Sequence, residues 1–181
     1  STYVDFMDEF TQDVFDQILK KGEEFSLKLA GYHAMESLRV EKSYRHWGHD
    51  ITDEDTPLEA GLGFTVKWDK SGGFIGRDAL LAQKEAGIKK RLIQFKLSDP
   101  DAMIYHNEPI LRDGEYAGHL TSGAYAHAIG CSIGMGYITI GELDKDSLYA
   151  SQYEIEVAGK RIAATPSISP FYDPKSERVK S

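Results

Sequence analysis

From about residue 90 onward the apolar residues fall into short runs separated by turn residues, and this spacing restricts the fold more than any other feature of the chain. Leu92, Phe95 and Leu97 lie in one run. Pro109 to Arg112 and Glu115 to Thr121 flank Asp113-Gly114, a pair suited to a two-residue hairpin turn with positive φ at both positions. A glycine-interrupted run covers Ser132 to Ile140. Tyr153, Ile155 and Val157 alternate with Glu154 and Glu156, and Ala158-Gly159-Lys160 turns the chain into Arg161 to Thr165. Roughly five or six short strands at this spacing predict a small antiparallel β-barrel.

The chain before residue 88 has a different rhythm. Phe6, Phe10, Val14 and Ile18 recur every fourth position, with Leu19 beside them, and predict an amphipathic helix over 6–21. Asp5 is placed to cap it, Asp8 and Glu9 suit the positive end of its dipole, Lys20 and Lys21 suit the other end, and Gly22 is a natural stop. A short strand is expected from Phe25 to Leu29, then a helical stretch from about His33 to Leu38. Phe64, Val66 and Trp68 alternate with polar neighbours and read as a half-buried strand. Gly72 and Gly73 end it, and a second amphipathic helix covers 77–86, stopping at Gly87. The expected class is therefore α+β: an α+β portion over 1–88, then an all-β portion over 89–181.

Composition narrows the function. With 181 residues, 41% hydrophobic and 28% charged, the chain fits one ordinary domain or two small ones and not a disordered or fibrous class. Its one cysteine excludes an internal disulfide framework and a Cys-rich zinc module, and makes a reducing compartment the default. No apolar run approaches the ~18 residues of a membrane span, so no membrane partner is expected. Residues 1–60 carry 14 acidic against six basic residues, which accounts for the whole net charge of −8. Such a surface repels the phosphate backbone, and nucleic acid is not expected as a partner; the short cluster Lys89-Lys90-Arg91 does not alter this.

Several segments carry chemistry-bearing residues. His46, His49 and Asp50 have the spacing of metal ligands, but a further ligand is absent and Trp47-Gly48 opposes a regular helix, so hydrogen-bonded histidines near a turn are expected and no metal. Gly72-Gly73-Phe74-Ile75-Gly76 stands where a phosphate loop could lie, yet it lacks the Lys-Ser/Thr of a P-loop and the dinucleotide fingerprint. Ser122-Gly123 and Cys131 show no nucleophile elbow or partnered base. Glu41 is different. It follows Leu38 and Val40 and precedes Tyr44 and Trp47, a carboxylate among aromatic residues. A carboxylate accepts two parallel N–H bonds from an amidine-like edge while aromatics stack on the ring, the way a pterin or purine is commonly read. The alternative is a surface ion pair with Lys42 or Arg45.

Four stretches together resemble a known family: Ser37-Leu38-Arg39-Val40-Glu41-Lys42, Tyr44-Arg45-His46-Trp47-Gly48-His49-Asp50, Thr56-Pro57-Leu58-Glu59-Ala60-Gly61-Leu62 and Phe74-Ile75-Gly76-Arg77-Asp78-Ala79-Leu80. Their order and spacing are similar to the tetrahydrofolate-binding part of the glycine-cleavage T-protein (aminomethyltransferase) family. The Tyr-Arg-His-Trp wording and Pro170-Phe171-Tyr172-Asp173-Pro174-Lys175 look most like the C-terminal region of sarcosine dehydrogenase and of dimethylglycine oxidase or dehydrogenase. Thr121-Ser122-Gly123 and Gly134-Met135-Gly136-Tyr137-Ile138 match the family's C-terminal barrel.

The resemblance implies a partial folate-binding α+β domain over 1–88 and the family's β-barrel over 89–181. It implies one-carbon transfer to tetrahydrofolate, giving 5,10-methylenetetrahydrofolate, in a parent whose flavin domain oxidises an N-methyl group. A stand-alone aminomethyltransferase, a demethylase, or a non-catalytic regulatory module of the same fold are the alternatives. Glu41 matches the glutamate that holds the pterin edge, with Tyr44 and Trp47 beside it. Tyr172 lies near an aromatic position that closes on folate, and Lys70 stands roughly where relatives carry an arginine for the folate tail, without its bidentate geometry. No residue matches the family's essential aspartate, so no catalytic residue is assigned. Ser1 reads as a point inside a longer parent, whose remaining folate-domain half and FAD-binding domain would be this chain's partners. The piece alone is expected to bind folate weakly and to lack oxidase activity. The expected location is the cytoplasm of a bacterium or the mitochondrial matrix of a eukaryote.

Overall fold

The structure, a computed structural model, describes residues 8–180. The chain forms two units, one ending at Tyr32 and the other beginning at His33. The change of pattern near residue 88 therefore falls inside the second unit.

In the first unit a single 3-10 turn, Asp8–Phe10, leads into helix α1, Thr11–Gly22, and a second 3-10 turn, Glu23–Phe25. Phe6 and the Asp5 cap lie outside the described residues. Gly22 is the last helical residue and does not stop the chain's winding; that happens at Ser26, at φ 55°, whose N–H donates to the Glu23 carbonyl. The strand expected at Phe25 to Leu29 does not form. The left-handed Ser26 breaks extended geometry, no sheet edge pairs with the segment, and Phe25 and Leu29 are exposed.

The second unit is built on the barrel. Strands β1 (Arg91–Leu97), β2 (Pro109–Arg112), β3 (Glu115–Ala126), β4 (Cys131–Ile138), β5 (Tyr153–Val157) and β6 (Lys160–Ser167) close in the order β1-β4-β3-β2-β5-β6, every pair antiparallel. The sequence-based expectation of an antiparallel barrel holds. Asp113 and Gly114 turn β2 into β3 at φ 53° and 85°, the positive pair a twisted hairpin requires. Inside lie Ile93, Phe95, Leu97, Ile110, Leu120, Ile138 and Ile155. On β4 the interior positions before Ile138 are Gly134 and Gly136, where a Cβ would collide with Leu120 and with Ile110 and the His119 carbonyl respectively. The alternate residues of β4, Ile133 and Met135, form a second cluster with Leu92 of β1 and Val40. Both faces of β1 and β4 are thus buried, one by the barrel and one by a layer outside it.

That outer layer begins with helix α2, Tyr32–Glu41, three residues longer than expected at its C-terminal end. An irregular stretch with a 3-10 turn, Gly63–Thr65, leads to α3, Arg77–Ala86, which ends at Gly87 as expected. The strand expected over Phe64 to Trp68 is absent. Thr65 and Val66 donate to Leu62 and Gly63, so the backbone is satisfied by tight local bonds, and Phe64 is exposed. A helix the spacing did not announce, α4 (Lys145–Ala150), is capped by Asp144, which accepts from the Asp146 and Ser147 N–H groups. It plugs one region of the barrel with Leu148. A last short helix, α5, covers Glu177–Lys180.

Candidate functional site

Residues of the Ser37–Asp50 motif divide between two tasks. The first is anchoring α2 to the barrel. Arg39 donates from Nη1 to Asp50 Oδ2 at 2.7 Å and to the Tyr44 carbonyl at 2.9 Å, from Nη2 to Ser122 Oγ at 3.0 Å, and also to the Glu36 carboxylate. Asp50 is fully buried and accepts in addition from the His46 N–H at 2.8 Å and from the Thr121 hydroxyl at 2.5 Å. Thr121 reaches it because β3 carries an extra residue there: Leu120 and Ser122 are opposite Gly136 and Met135, and Thr121 bulges out of register. His46 and His49 stack with ring centroids 4.7 Å apart. Asp50 is thus engaged by an arginine, a backbone amide and a hydroxyl.

The second task belongs to Glu41. Only 2% exposed, it accepts at Oε1 from the Ala128 N–H at 2.8 Å, in the turn between β3 and β4. Oε2 has no hydrogen-bond partner among the described residues. The ion pair with Lys42 or Arg45 does not form. Lys42 turns to the C-terminal segment, and Arg45 donates to the Ala60 and Ser43 carbonyls. Burial lowers the basicity of Arg45, an effect the nearby Asp50 charge opposes.

Glu41 faces a cleft of about 620 Å³ lined by His33, Ser37, Leu38, His127 and Tyr172, with Ala34 and Ala128 completing its wall. His33, Ser37 and Glu41 stand four residues apart, so one helix face presents all three. Ser37 is committed to the Tyr125 carbonyl at 2.6 Å. His127 meets Tyr125 edge to face, 5.1 Å between centroids. Tyr172 accepts at its hydroxyl from Arg178 at 2.5 Å. A buried carboxylate with one oxygen held by a backbone amide and the other unpartnered suits a planar ligand presenting adjacent N–H donors.

The five residues singled out from the sequence are not brought together. Glu41 and Tyr172 share the cleft. Tyr44 and Trp47, expected beside Glu41, do not line it; their side chains are 56% and 67% exposed. Lys70 sits in an exposed turn, its N–H on the Lys67 carbonyl, and does not line it either. Sequence reasoning missed His33 and His127. The helical spacing back from Glu41 was enough to find the first. The second follows a strand end and has no local signal.

Elsewhere, Asp55 accepts from Lys90 Nζ at 2.5 Å. Burial would raise the Asp55 carboxyl, but Lys90 and Thr52 together hold it below the ordinary carboxylate value. Burial, with the charges of Asp55 and Asp50, pushes the Tyr137 phenol above its usual range. The glycine-rich stretch before α3 follows a turn, not a strand, and does not fit a flavin dinucleotide. Among the described residues no group of three or more His, Cys, Asp or Glu could hold a metal ion, and no helix is long and apolar enough to cross a membrane.

Comparison with known proteins agrees with this architecture. Residues 90–173 match the model of the glycine cleavage T-protein C-terminal barrel domain, and residues 4–70 match that of the GCVT N-terminal domain. The chain is 42% identical to 4-methylaminobutanoate oxidase (formaldehyde-forming) of Paenarthrobacter nicotinovorans, over 93% of this chain and 20% of that protein. It is 38% identical to the mouse mitochondrial pyruvate dehydrogenase phosphatase regulatory subunit, over 90% and 20%, and 36% identical to human mitochondrial sarcosine dehydrogenase, over 92% and 18%. It thus spans about a fifth of the length of these relatives. The crystal structure of the glycine cleavage system aminomethyltransferase T from Bartonella henselae shares the fold, with a TM-score of 0.75 at 23% identity over 91% of this chain and 44% of that one. With both halves of one domain pair matched in order and the barrel in place, the chain belongs to the glycine-cleavage T-protein (aminomethyltransferase) family.

Proposed function

We propose that the chain is the tetrahydrofolate-binding C-terminal portion of a sarcosine or dimethylglycine dehydrogenase-like flavoenzyme, with the folate-domain portion over 1–88 and the barrel over 89–181. The observation that carries this reading is Glu41: buried, held at Oε1 by one backbone amide, without a further hydrogen-bond partner among the described residues, and lining the cleft. Tetrahydrofolate, when bound, supplies the two nitrogens that take up a one-carbon unit as 5,10-methylenetetrahydrofolate. Glu41 accepts from the amino and ring N–H groups of the pterin edge, and the Ala128 amide keeps its carboxylate from turning away. Leu38, His127 and Tyr172 supply flat or apolar walls that exclude water beside the ring. The remaining folate-domain half and the FAD-binding domain belong to the rest of the parent. The matching location is a bacterial cytoplasm or a mitochondrial matrix; two of the relatives named above are mitochondrial.

In the parent protein, Glu41→Ala is expected to weaken tetrahydrofolate binding by about 1–3 kcal/mol, read by calorimetry, through loss of charge-assisted bonds. Unchanged affinity removes Glu41 from the site. A second reading, a regulatory module without folate chemistry, is favoured by the 38% identity to a phosphatase regulatory subunit. Absence of any tetrahydrofolate binding by the wild-type parent would select it.

A further inference from the structure

Glu41 and Lys42 are neighbours in sequence and hold different segments: Glu41 the turn between β3 and β4, Lys42 the C-terminal segment that carries Tyr172. While Glu41 turns to Ala128, Lys42 Nζ donates to the Asp173 carbonyl at 2.6 Å, to Asp173 Oδ2 at 3.2 Å and to Ser176 Oγ at 3.2 Å. All three ammonium donors thus go to one short segment near the C-terminal end. The pair is sheltered, with the Lys42 side chain 12% and that of Asp173 8% exposed. The segment is hooked around the ammonium. Asp173 and Ser176 both take left-handed backbone, at φ 43° and 55°, and Asp173 Oδ1 accepts from the Glu177 N–H at 2.8 Å.

A second anchor lies immediately before it. The Phe171 N–H donates to Gln94 Oε1 at 3.0 Å, and Gln94 Nε2 donates to the Val40 carbonyl at 2.5 Å. Gln94 is 1% exposed on β1, so this amide bridges the barrel, the last turn of α2 and the C-terminal segment. Tyr172 is the residue between the two anchors, and it lines the Glu41 cleft. Arg178 holds the Tyr172 hydroxyl at 2.5 Å and lies 5.8 Å from the ring centroid, but it belongs to the same segment; the contacts that tie that segment to the rest of the unit are the anchors on either side of Tyr172.

We infer that Lys42, with Asp173, is a positioning residue: it clamps the C-terminal segment so that Tyr172 closes the cleft onto the ligand Glu41 holds. The ligand side of this inference rests on the folate reading above; the clamp itself does not. Lys42 acts on affinity through Tyr172, so its effect depends on Tyr172 being present.

The test is a double-mutant cycle in the full-length protein, read by tetrahydrofolate calorimetry, with hydrogen exchange of the ligand-free protein alongside. Lys42→Met is expected to lower affinity about tenfold and to speed exchange of the amides at 172–178 while leaving those of β1 and β4 protected. In a Tyr172→Ala background the same substitution is expected to cost less than about twofold. Equal losses in both backgrounds would overturn the positioning role, as would unchanged exchange at 172–178. Should Lys42→Met disturb folding, Asp173→Asn keeps the backbone and removes only the ion pair; it is expected to move both readouts the same way by a smaller factor, and no movement overturns the clamp. Glu41→Gln separates the two readings. If it leaves affinity intact while Lys42→Met loosens 172–178, the folate assignment falls and the clamp stands. If it lowers affinity while Lys42→Met changes neither readout, the clamp falls and the folate assignment stands.

Discussion

The barrel and the stretch from Gly61 to Ile88 belong to the same unit and are held together by different means. On β1 and β4 nearly every residue is buried, because two apolar layers meet on those strands. On α3 no residue is buried, Leu80 and Leu81 are only half covered, and nearby Phe64 and Ile75 are exposed. What α3 has are polar and cation–π contacts, such as Lys84 over the Trp68 ring at 4.9 Å and Arg77 on the Trp68 carbonyl. Stability therefore concentrates in the barrel, and the face that carries Glu41 is anchored to the stable part, not to the exposed one.

The sharpest way to break this comparison is to cut into both regions. Phe95→Ala removes a fully buried ring from the barrel and is expected to cost about 3–5 kcal/mol in urea unfolding. Leu80→Ala on α3 is expected to cost about 1 kcal/mol or less, since half-covered area returns little. Comparable losses would show that α3 is as integrated as the strands.

A smaller effect tests how the barrel is sealed. Arg112 is 4% exposed and spends all five N–H donors on neutral oxygens: Ser151 Oγ, the Ile140 and Glu142 carbonyls, and both the carbonyl and hydroxyl of Ser147. Arg112→Met keeps the bulk and leaves these acceptors unpaired. A loss of about 3 kcal/mol is expected, with faster exchange of amides in α4. A neutral result would mean that water replaces the guanidinium freely.

The smallest effect lies at the seam. Asp55, in the loop before α3, pairs with Lys90, just ahead of β1, and its carboxyl titrates below the ordinary value. A depressed carboxyl stabilises the fold fully above its unfolded value, near pH 4, and that contribution fades as pH falls through the lower folded value. Asp55→Asn should therefore cost on the order of 1 kcal/mol or less at pH 6 and progressively less as the pH falls. Urea midpoints for both proteins, followed from pH 6 to pH 2, should converge on acidification; a constant gap would assign the effect to packing.

How much of this was written in the sequence differs by region, for physical reasons. The barrel was legible because period-two alternation and the Asp113-Gly114 and Ala158-Gly159 turns act locally. The segments Phe25–Leu29 and Phe64–Trp68 alternate just as well, but a strand needs a neighbour, and N–H groups within them found carbonyls three to five residues back instead. Helix α4 was overlooked although Asp144 is an ordinary N-cap. At the cleft, Glu41 was legible by its surroundings and by resemblance, whereas the anchoring of the same stretch to the barrel through Arg39 and Asp50 was not. The amide that holds Glu41 comes from 87 residues away and the acceptors of Lys42 from 131 and 134 away. No local pattern encodes such pairings.

Closure of the barrel by β1 and β6 also has a consequence for how the chain is made. During synthesis β1 emerges early and its partner β6 last among the strands, with Gln94 to Leu97 waiting for Ala164 to Ser167. Until then β1 has an open edge and apolar side chains on both faces, the kind of surface on which nascent chains associate wrongly. So long-range a seam also predicts folding on the millisecond-to-second scale rather than the microsecond scale of helical bundles. A ribosome-stalled chain ending before Lys160 should consequently be the form that chaperones hold most tightly.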